Sequence, residues 1–341
     1  MRKKILWILV ICVVLISGLF WLKPQNVSTN FVSPLDHYFK TTQLIPSISP
    51  KTTILFTGDV MLGRTTEITT REKNDFHYPF LKVADTLKSA DLTVVNLENP
   101  IIKDCKPFTA GFIFCANPEM LEGLTFAGVD LATLANNHTG NYGKQGIDQT
   151  EKFLDIYGIK YTGVTHLAIQ QINNVTFGFI GFNKAQEPNP QLTKEERQLI
   201  LDSDSKVDVL IVLMHWGVEY QDNALPGVRI LAKELVKDGA DLVIGSHPHW
   251  VQDVEYLNKE ADVVAKRDAK TIMTVKDEKG QFPIENAVPV YYSLGNFVFD
   301  QMWSEPTRHG LTIRLTFDGK KIEKEEFMPV YIKERGQPEW K

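Results

Sequence analysis

The chain has 341 residues, 43% of them hydrophobic and 23% charged, with a formal net charge of −5. Those proportions describe a globular protein with room for one large domain or two ordinary ones, and they exclude low complexity. No Lys/Arg-rich block stands out, so nucleic-acid binding is not expected.

At the N-terminus a basic flank, residues 1–4 with Arg2, Lys3 and Lys4, precedes an uncharged apolar run at residues 5–22. Eighteen helical residues reach about 27 Å at roughly 1.5 Å each, close to the hydrocarbon thickness of a bilayer. The positive flank is expected to stay in the cytoplasm, which puts the body outside: a single-pass protein of the cell membrane with an extracellular C-terminal domain. A cleaved signal peptide is the alternative, but no Ala-x-Ala site follows the run, and Ile11 before Cys12 is a poor lipoprotein cleavage position. An uncleaved transmembrane signal-anchor is the favoured reading. Residues 23–51, rich in Pro, Ser, Thr and Asn, read as an extracellular linker. Cys105 and Cys115 would share the oxidising side, where a disulfide and two free thiols are equal alternatives. One such pair does not make a zinc ribbon.

The body is expected at residues 52–335, with a short tail at 336–341. It opens on an apolar strand, residues 53–59, that ends in Gly58 and Asp59. Residues 79–90 have helical apolar spacing behind a Pro suited to a helix start. A pattern then recurs: an Asp opens an apolar run that ends in metal-capable residues. Asp91 leads to Asn96 and Glu98, Asp130 to Asn136, Asn137 and His138, Asp208 to His215, and Asp241 to His247 and His249. Such runs are too apolar for one-sided strands and fit strands buried on both faces. Helices are expected between them at 118–126, 144–157, 193–201 and 228–237. Residues 166–173 and 175–182 look like a hairpin around Asn173 and Asn174, in a second sheet. A charged segment at about 252–288 reads as an insertion, and strands at 311–317 and 322–330 close the body. Strand–helix alternation with ligand-type residues at strand C-termini is the mark of an α/β fold whose site lies along one sheet edge.

His247 and His249 are next-but-one neighbours after Gly245, so an extended backbone points both imidazoles the same way. Taken singly, each strand-end residue is more often a turn, a cap or a scaffold histidine. Taken together, Asp59, Glu98, Asn137, His138, His215, His247 and His249 mix carboxylate, amide and imidazole without thiolate. That donor set suits divalent Mn, Fe, Zn or Mg. It is too large for one tetrahedral site and fits two ions sharing a carboxylate, an arrangement that clamps phosphoryl oxygens. His37, His77 and His166 belong in the scaffold class, and His309 only draws attention by its nearness to residues 296–300.

Six ordered motifs then resemble a known family. They are residues 58–64 (Gly-Asp-Val-Met-Leu-Gly-Arg), 96–98 (Asn-Leu-Glu), 135–138 (Ala-Asn-Asn-His), 215–220 (His-Trp-Gly-Val-Glu-Tyr), 245–249 (Gly-Ser-His-Pro-His) and 292–300 (Tyr-Ser-Leu-Gly-Asn-Phe-Val-Phe-Asp). The chain resembles the CapA family of poly-γ-glutamate capsule synthesis, related to calcineurin-like metallophosphoesterases. The resemblance implies a four-layer α/β sandwich of two mixed β-sheets flanked by helices. It implies Glu98 as the bridging carboxylate, Asp59 and His249 at one metal, and Asn137, His215 and His247 at the other. His138 would protonate a leaving group or stabilise charge on phosphoryl oxygens. Arg64, Glu219, Tyr220 and Asn296 would line the pocket. The implied partners are the membrane, poly-γ-glutamate or another anionic envelope polymer, and capsule synthase subunits. Three departures stand out, one being that the usual bridging Asp is Glu98 here, one methylene longer. Met61 replaces the imidazole of the usual Asp-x-His, and Asn141 replaces the Asp usual before Tyr-Gly. A metallophosphoesterase-like hydrolase and a non-catalytic polymer-binding or export subunit therefore both remain open.

Overall fold

The computed structural model describes residues 50–341 apart from 108, 110, 164–165, 275–279 and 282–285. The anchor expected at residues 5–22 lies outside the described residues. Among those described, no helix is long and apolar enough to cross a membrane.

In chain order the strands are β1 (Thr52–Val60), β2 (Leu92–Leu97), β3 (Leu131–Thr133), β4 (Lys160–Thr162), β5 (Ala168–Ile172), β6 (Val175–Ala185), β7 (Val209–Gly217) and β8 (Leu242–Ser246). They continue as β9 (Val254–Leu257), β10 (Val263–Arg267), β11 (Gly280–Gln281), β12 (Val288–Tyr291), β13 (Asn296–Val298), β14 (His309–Asp318), β15 (Lys321–Glu334) and β16 (Gln337–Trp340). The helices are α1 (Arg64–Lys73), α2 (Ala84–Leu87), α3 (Leu121–Phe126), α4 (Gly143–Tyr157), α5 (Lys194–Asp204), α6 (Pro226–Lys237) and α7 (Ala269–Thr274). One sheet runs β11-β15-β14-β1-β2-β3-β4, with β13 beside β1 and β16 beside β15; the other runs β10-β9-β12-β8-β7-β6-β5. Both are mixed: β1 to β4 and β6 to β8 pair in parallel, and the hairpins at their edges are antiparallel.

Three apolar cores define the layers. Phe56, Val94 and Leu131 of the first sheet meet Phe177, Ile211 and Leu242 of the second. The outer face of the first sheet, with Leu55, Val95 and Ala132, is covered by Leu87, Leu124 and Leu154 from α2, α3 and α4. Across the molecule, Leu210, Val212 and Val243 are covered by Ile200 of α5 and Leu231 and Leu235 of α6. The order is helices, sheet, sheet, helices. Strands apolar on both faces are what this layering demands, and burial runs unbroken through β2, β7 and β8.

The repeated Asp at the head of each run has a physical role. Each carboxylate accepts a backbone N–H from the neighbouring parallel strand: Asp91 from Thr53 (2.7 Å), Asp130 from Thr93 (2.7 Å), Asp208 from Thr176 (2.9 Å) and Asp241 from Leu210 (2.9 Å). Each Asp N–H also donates to that same neighbour's carbonyl. Parallel pairing lacks a tight turn to set its register, and these clamps set it from the N-terminal end.

Several expectations are revised. Residues 79–90 are not one helix but a 3-10 turn at Tyr78–Phe80 followed by the short α2. Helix α1 has a polar composition with no apolar stripe that could announce it. The supposed insertion at 252–288 begins with sheet: β9 lies between β12 and β10 and is buried throughout. Its charges misled, because Asp253 and Glu255 are held by Arg229 of α6. The tail is strand β16, turned back onto β15 at Gly336, whose φ of 71° favours glycine. The hairpin at Asn173 and Asn174 joins β5 to β6, both residues having positive φ.

Replacing Asp130 by alanine leaves the N–H of buried Thr93 without its carboxylate acceptor. The expected loss is about 1–3 kcal/mol of unfolding free energy, read as a lower urea midpoint at unchanged slope.

Candidate metal centre

The C-terminal ends of the parallel strands meet where the two sheets face each other. Register sets Asp59 beside Asn96 and Asn296 in one sheet, and His215 beside Asn183 and Ser246 in the other. Glu98 follows β2 directly. Asn136 forms the turn after β3, its side-chain oxygen accepting the N–H groups of His138 (3.1 Å) and Thr139 (3.0 Å). That turn presents Asn137 and His138. His247 and His249 follow β8 with φ of 97° and 59°, conformations that cost on the order of 1–3 kcal/mol each in non-glycine residues. Gly245 lets this bend form: a Cβ there would lie 2.1 Å from the Tyr292 carbonyl oxygen.

Three imidazoles converge on one oxygen. Nε2 of His138, His215 and His249 lie 3.9, 3.9 and 3.8 Å from Glu98 Oε1. These are too long for hydrogen bonds. Hydrogen-bond partners assign the tautomers. Asn296 donates from Nδ2 to the Thr307 carbonyl (2.8 Å), so its Oδ1 faces His249 Nδ1 at 2.9 Å and takes that proton. Ser246 donates to the Met214 carbonyl (3.1 Å) and accepts from His215 Nδ1 at 2.8 Å. Asn141 Oδ1 accepts the Phe114 N–H (2.7 Å), which makes His138 Nδ1, 3.1 Å away, a donor. Each ring therefore turns an unprotonated Nε2 toward Glu98, that of His138 also accepting from Asn137 Nδ2 at 3.3 Å. Glu98 Oε1 and both ring nitrogens of His247 are buried without a hydrogen-bond partner among the described residues. Asn137 Oδ1 also faces the bare Nε2 of His215 at 2.9 Å, acceptor against acceptor.

Lone pairs gathered in this way around a buried carboxylate call for a cation. Ligand atoms of Asp59, Glu98 and His249 lie within 4.8 Å of one another, as do those of Glu219, His247 and His249. The residues present therefore fit divalent metal, and the donor chemistry of imidazole, amide and carboxylate suits it.

A family model described as bacterial capsule synthesis protein PGA_cap matches residues 53–301. The chain belongs to this family. It is 29% identical over 281 residues to the capsule biosynthesis protein CapA of Bacillus anthracis, covering 74% of this chain and 61% of that protein. The chain thus spans about three-fifths of that relative's length. It is 26% identical over 300 residues to the PGA biosynthesis protein CapA of Bacillus subtilis, covering 82% of this chain and 71% of that one. A solved structure described as a novel phosphatase from Mycoplasma pneumoniae aligns with TM-score 0.48 at 15% identity, covering 83% of this chain and 94% of that one.

In this PGA_cap chain the other expected residues fall as follows. Glu219 stands among the candidate ligands, beside His247 and His249. Asn296 is fully buried and holds His249, so it orients a ligand and does not face a substrate. Arg64 is committed: it forms a two-pronged pair with Asp300, donates to the Gly111 carbonyl (3.2 Å) and covers the Phe114 ring. Tyr220 lies 6.0 Å from the His249 ring and packs edge-on against Trp303. His309 pairs with Glu305 on β14 instead. Met61 is buried with Phe114, Phe299 and Ile332 and offers the centre an apolar wall. Cys105 and Cys115 are joined in a disulfide.

Asn96 is the residue missed. Its Nδ2 donates to Asp59 Oδ1 (2.8 Å) and Glu98 Oε2 (3.3 Å), while its Oδ1 accepts from Asn136 (3.1 Å). The available signal was its place two residues before Glu98, on the same side of the strand.

Electrostatics bear the stamp of burial. Desolvation pushes the Glu98 carboxyl well above its usual range, with Asp59 and Glu219 adding repulsion and Arg64 opposing it. Burial lowers His215 well below the usual imidazole value, with the neighbouring histidines adding to the shift. It lowers His247 to about 3 and His138 to about 4, the latter against the pull of its Asn141 hydrogen bond. Below the unfolded imidazole value of roughly 6.5, the unfolded chain takes up protons that these folded rings refuse, so stability falls as pH falls. Glu98, protonated first in the folded state, offsets one of the three. Chelator-treated protein should therefore melt at a lower temperature at pH 5 than at pH 7. Adding Mn²⁺ at pH 7 to a hundred times its Kd should stabilise the protein by about 2.7 kcal/mol. That gain, read as a thermal shift, should shrink in Glu98→Gln and His247→Ala.

Proposed function

We propose that this PGA_cap chain is a metal-dependent hydrolase of phosphoesterase-like type. In this reading it acts outside the cell on an envelope polymer during capsule synthesis and is held at the membrane by residues 5–22. The observation that carries the reading is the convergence of three unprotonated imidazole nitrogens on the unpartnered Glu98 oxygen. Family membership supports the process, and the relatives' descriptions suggest poly-γ-glutamate or another anionic envelope polymer as substrate. The disulfide accords with an oxidising compartment. Capsule synthase subunits are natural membrane neighbours in this scheme.

Asp59, Glu98 and His249 would hold one divalent ion, and Asn137, His215 and His247 a second, with Glu98 shared and Glu219 within reach of His247. Mn, Fe, Zn or Mg bound there would polarise a phosphoryl oxygen and acidify a water. The chain's own groups prepare the rest. Asn96 holds both Asp59 and Glu98, and Asn296 and Ser246 keep the ligand nitrogens of His249 and His215 free of protons. His138 is neutral at pH 7 with its proton on Nδ1, so its Nε2 first accepts a proton from the attacking water. Once charged, it can return that proton to the leaving oxygen, as microscopic economy of acid–base catalysis allows.

A second reading rests on Met61. Because its side chain is packed among aromatic rings, one metal position lacks the imidazole of the usual first motif, and the pocket could bind anionic polymer without turnover.

Hydrolysis of a generic phosphodiester by the purified protein separates the two. The hydrolase reading expects Mn²⁺-dependent turnover that falls by on the order of 100-fold or more in Asp59→Ala and His215→Ala, beyond the loss seen for outer partners. Equal rates in wild type and Asp59→Ala would discard the hydrolase reading for this substrate and favour polymer binding.

A further inference from the structure

We propose that the segment at residues 111–115, tied to Cys105 by the disulfide of Cys115, is the positioning element for His138, and that Phe114 is the residue through which it acts. Within the loop Phe112 and Ile113 are 79% and 54% exposed, whereas Phe114 is 3% exposed and turned inward. Its ring lies on the His138 imidazole, centroids 3.8 Å apart and planes 20° from parallel. The Phe114 backbone acts as well. Its N–H donates to Asn141 Oδ1, which orients that amide, and the same oxygen takes the His138 Nδ1 proton. Phe114 thus covers the ring face of His138 and, beside Asn137 Nδ2 at 3.3 Å from Nε2, helps to fix its tautomer.

The loop is in turn held from several sides. Cys115 is bonded to Cys105. Ala116 donates its backbone N–H to the Pro100 carbonyl (2.9 Å) and accepts the Ile102 N–H (3.0 Å) at the exit of β2. Asn117 Nδ2 donates to the Cys105 carbonyl (2.8 Å) and to Glu67 Oε1 (2.7 Å). Tyr142 Oη reaches Cys115 Sγ at 3.3 Å. Gly63 lets the loop press in, since a Cβ there would lie 2.2 Å from the Cys115 carbonyl oxygen. From beyond, Arg64 covers the outer face of Phe114 and binds the Gly111 carbonyl. A phenyl ring that only filled space would need none of these ties to the partner of His138.

The importance of this positioning for turnover rests on the hydrolase reading, so the deciding readout does not use turnover. Long-range proton–nitrogen spectra of the chelated full-length protein report imidazole tautomers, with His138 assigned through His138→Gln. Wild type should show His138 as a single Nδ1–H tautomer. In Cys105→Ser/Cys115→Ser, which frees the backbone N–H that orients Asn141, that signal should move toward a two-tautomer average, and in Phe114→Leu, which keeps that N–H but loses the stacking ring, the His138 ring resonances should shift with the tautomer retained. His215 and His249 should stay unchanged, and Phe114→Tyr should restore the wild-type signal. If the double serine variant does not fold, wild type treated with a phosphine reductant takes its place. Where turnover is measurable, Phe114→Leu should lower kcat about 10-fold at unchanged KM, less than the roughly 100-fold or more expected for removing an acid–base group outright. Unshifted His138 ring resonances in Phe114→Leu together with an unshifted His138 tautomer in the opened-loop protein would overturn the proposal. It would do so whether or not the wild type hydrolyses anything.

Discussion

Everything at the centre depends on parallel strands ending in register. Parallel pairs are joined by long crossovers, so nothing local fixes how far one strand slides along the next. In this chain an aspartate at the head of β2, β3, β7 and β8 takes a backbone N–H of the neighbouring strand. A slip of one residue would break that bond and turn every side chain to the opposite face. With the heads pinned, the tails align, and Asp59, Asn96, Glu98, His215 and Ser246 arrive at one level.

What the aligned tails build is poor in stability by itself. A buried carboxylate oxygen and a buried imidazole lack partners, and two histidines hold positive φ. The three apolar cores on either side of the sheets offset this, and the hydrogen-bond assignments show why the arrangement persists. Asn296, Ser246 and Asn141 each draw the Nδ1 proton of a histidine away from the centre, leaving Nε2 free. The scaffold therefore spends its polar side chains on orienting lone pairs inward. A cation reverses the electrostatics, turning mutual repulsion among Glu98, Asp59 and Glu219 into shared attraction.

Reading residues along the chain picked out side chains that the structure gathers at one centre, because strand-end placement is a local property. Asp59, Glu98, His247 and His249 could be picked from apolar runs that stop at polar residues. Residues that act by orienting others were harder to see. Asn296 looked like a pocket residue but is sealed behind His249, and Arg64 looked free for an anion but is occupied by Asp300. Asn96 was marked as a strand end but left out of the site set although it ties Asp59 to Glu98, because an asparagine there is usually only a turn residue. The charges of residues 252–288 suggested a solvated insertion, yet β9 is internal, since Arg229 comes from a distant helix to neutralise Asp253 and Glu255.

The sequence by itself determined the alternation of buried strands and amphipathic helices, the families of residues at the strand ends and the membership of the capsule-synthesis family. These follow from periodicity, burial and ordered motifs, which a linear chain carries openly. Only the tertiary structure decided which lone pairs face one another, which carboxylates are already paired, and that the disulfide loop lies against His138. Those outcomes depend on side chains tens or hundreds of residues apart approaching within a few ångströms, and on the direction each hydrogen bond takes once they have met.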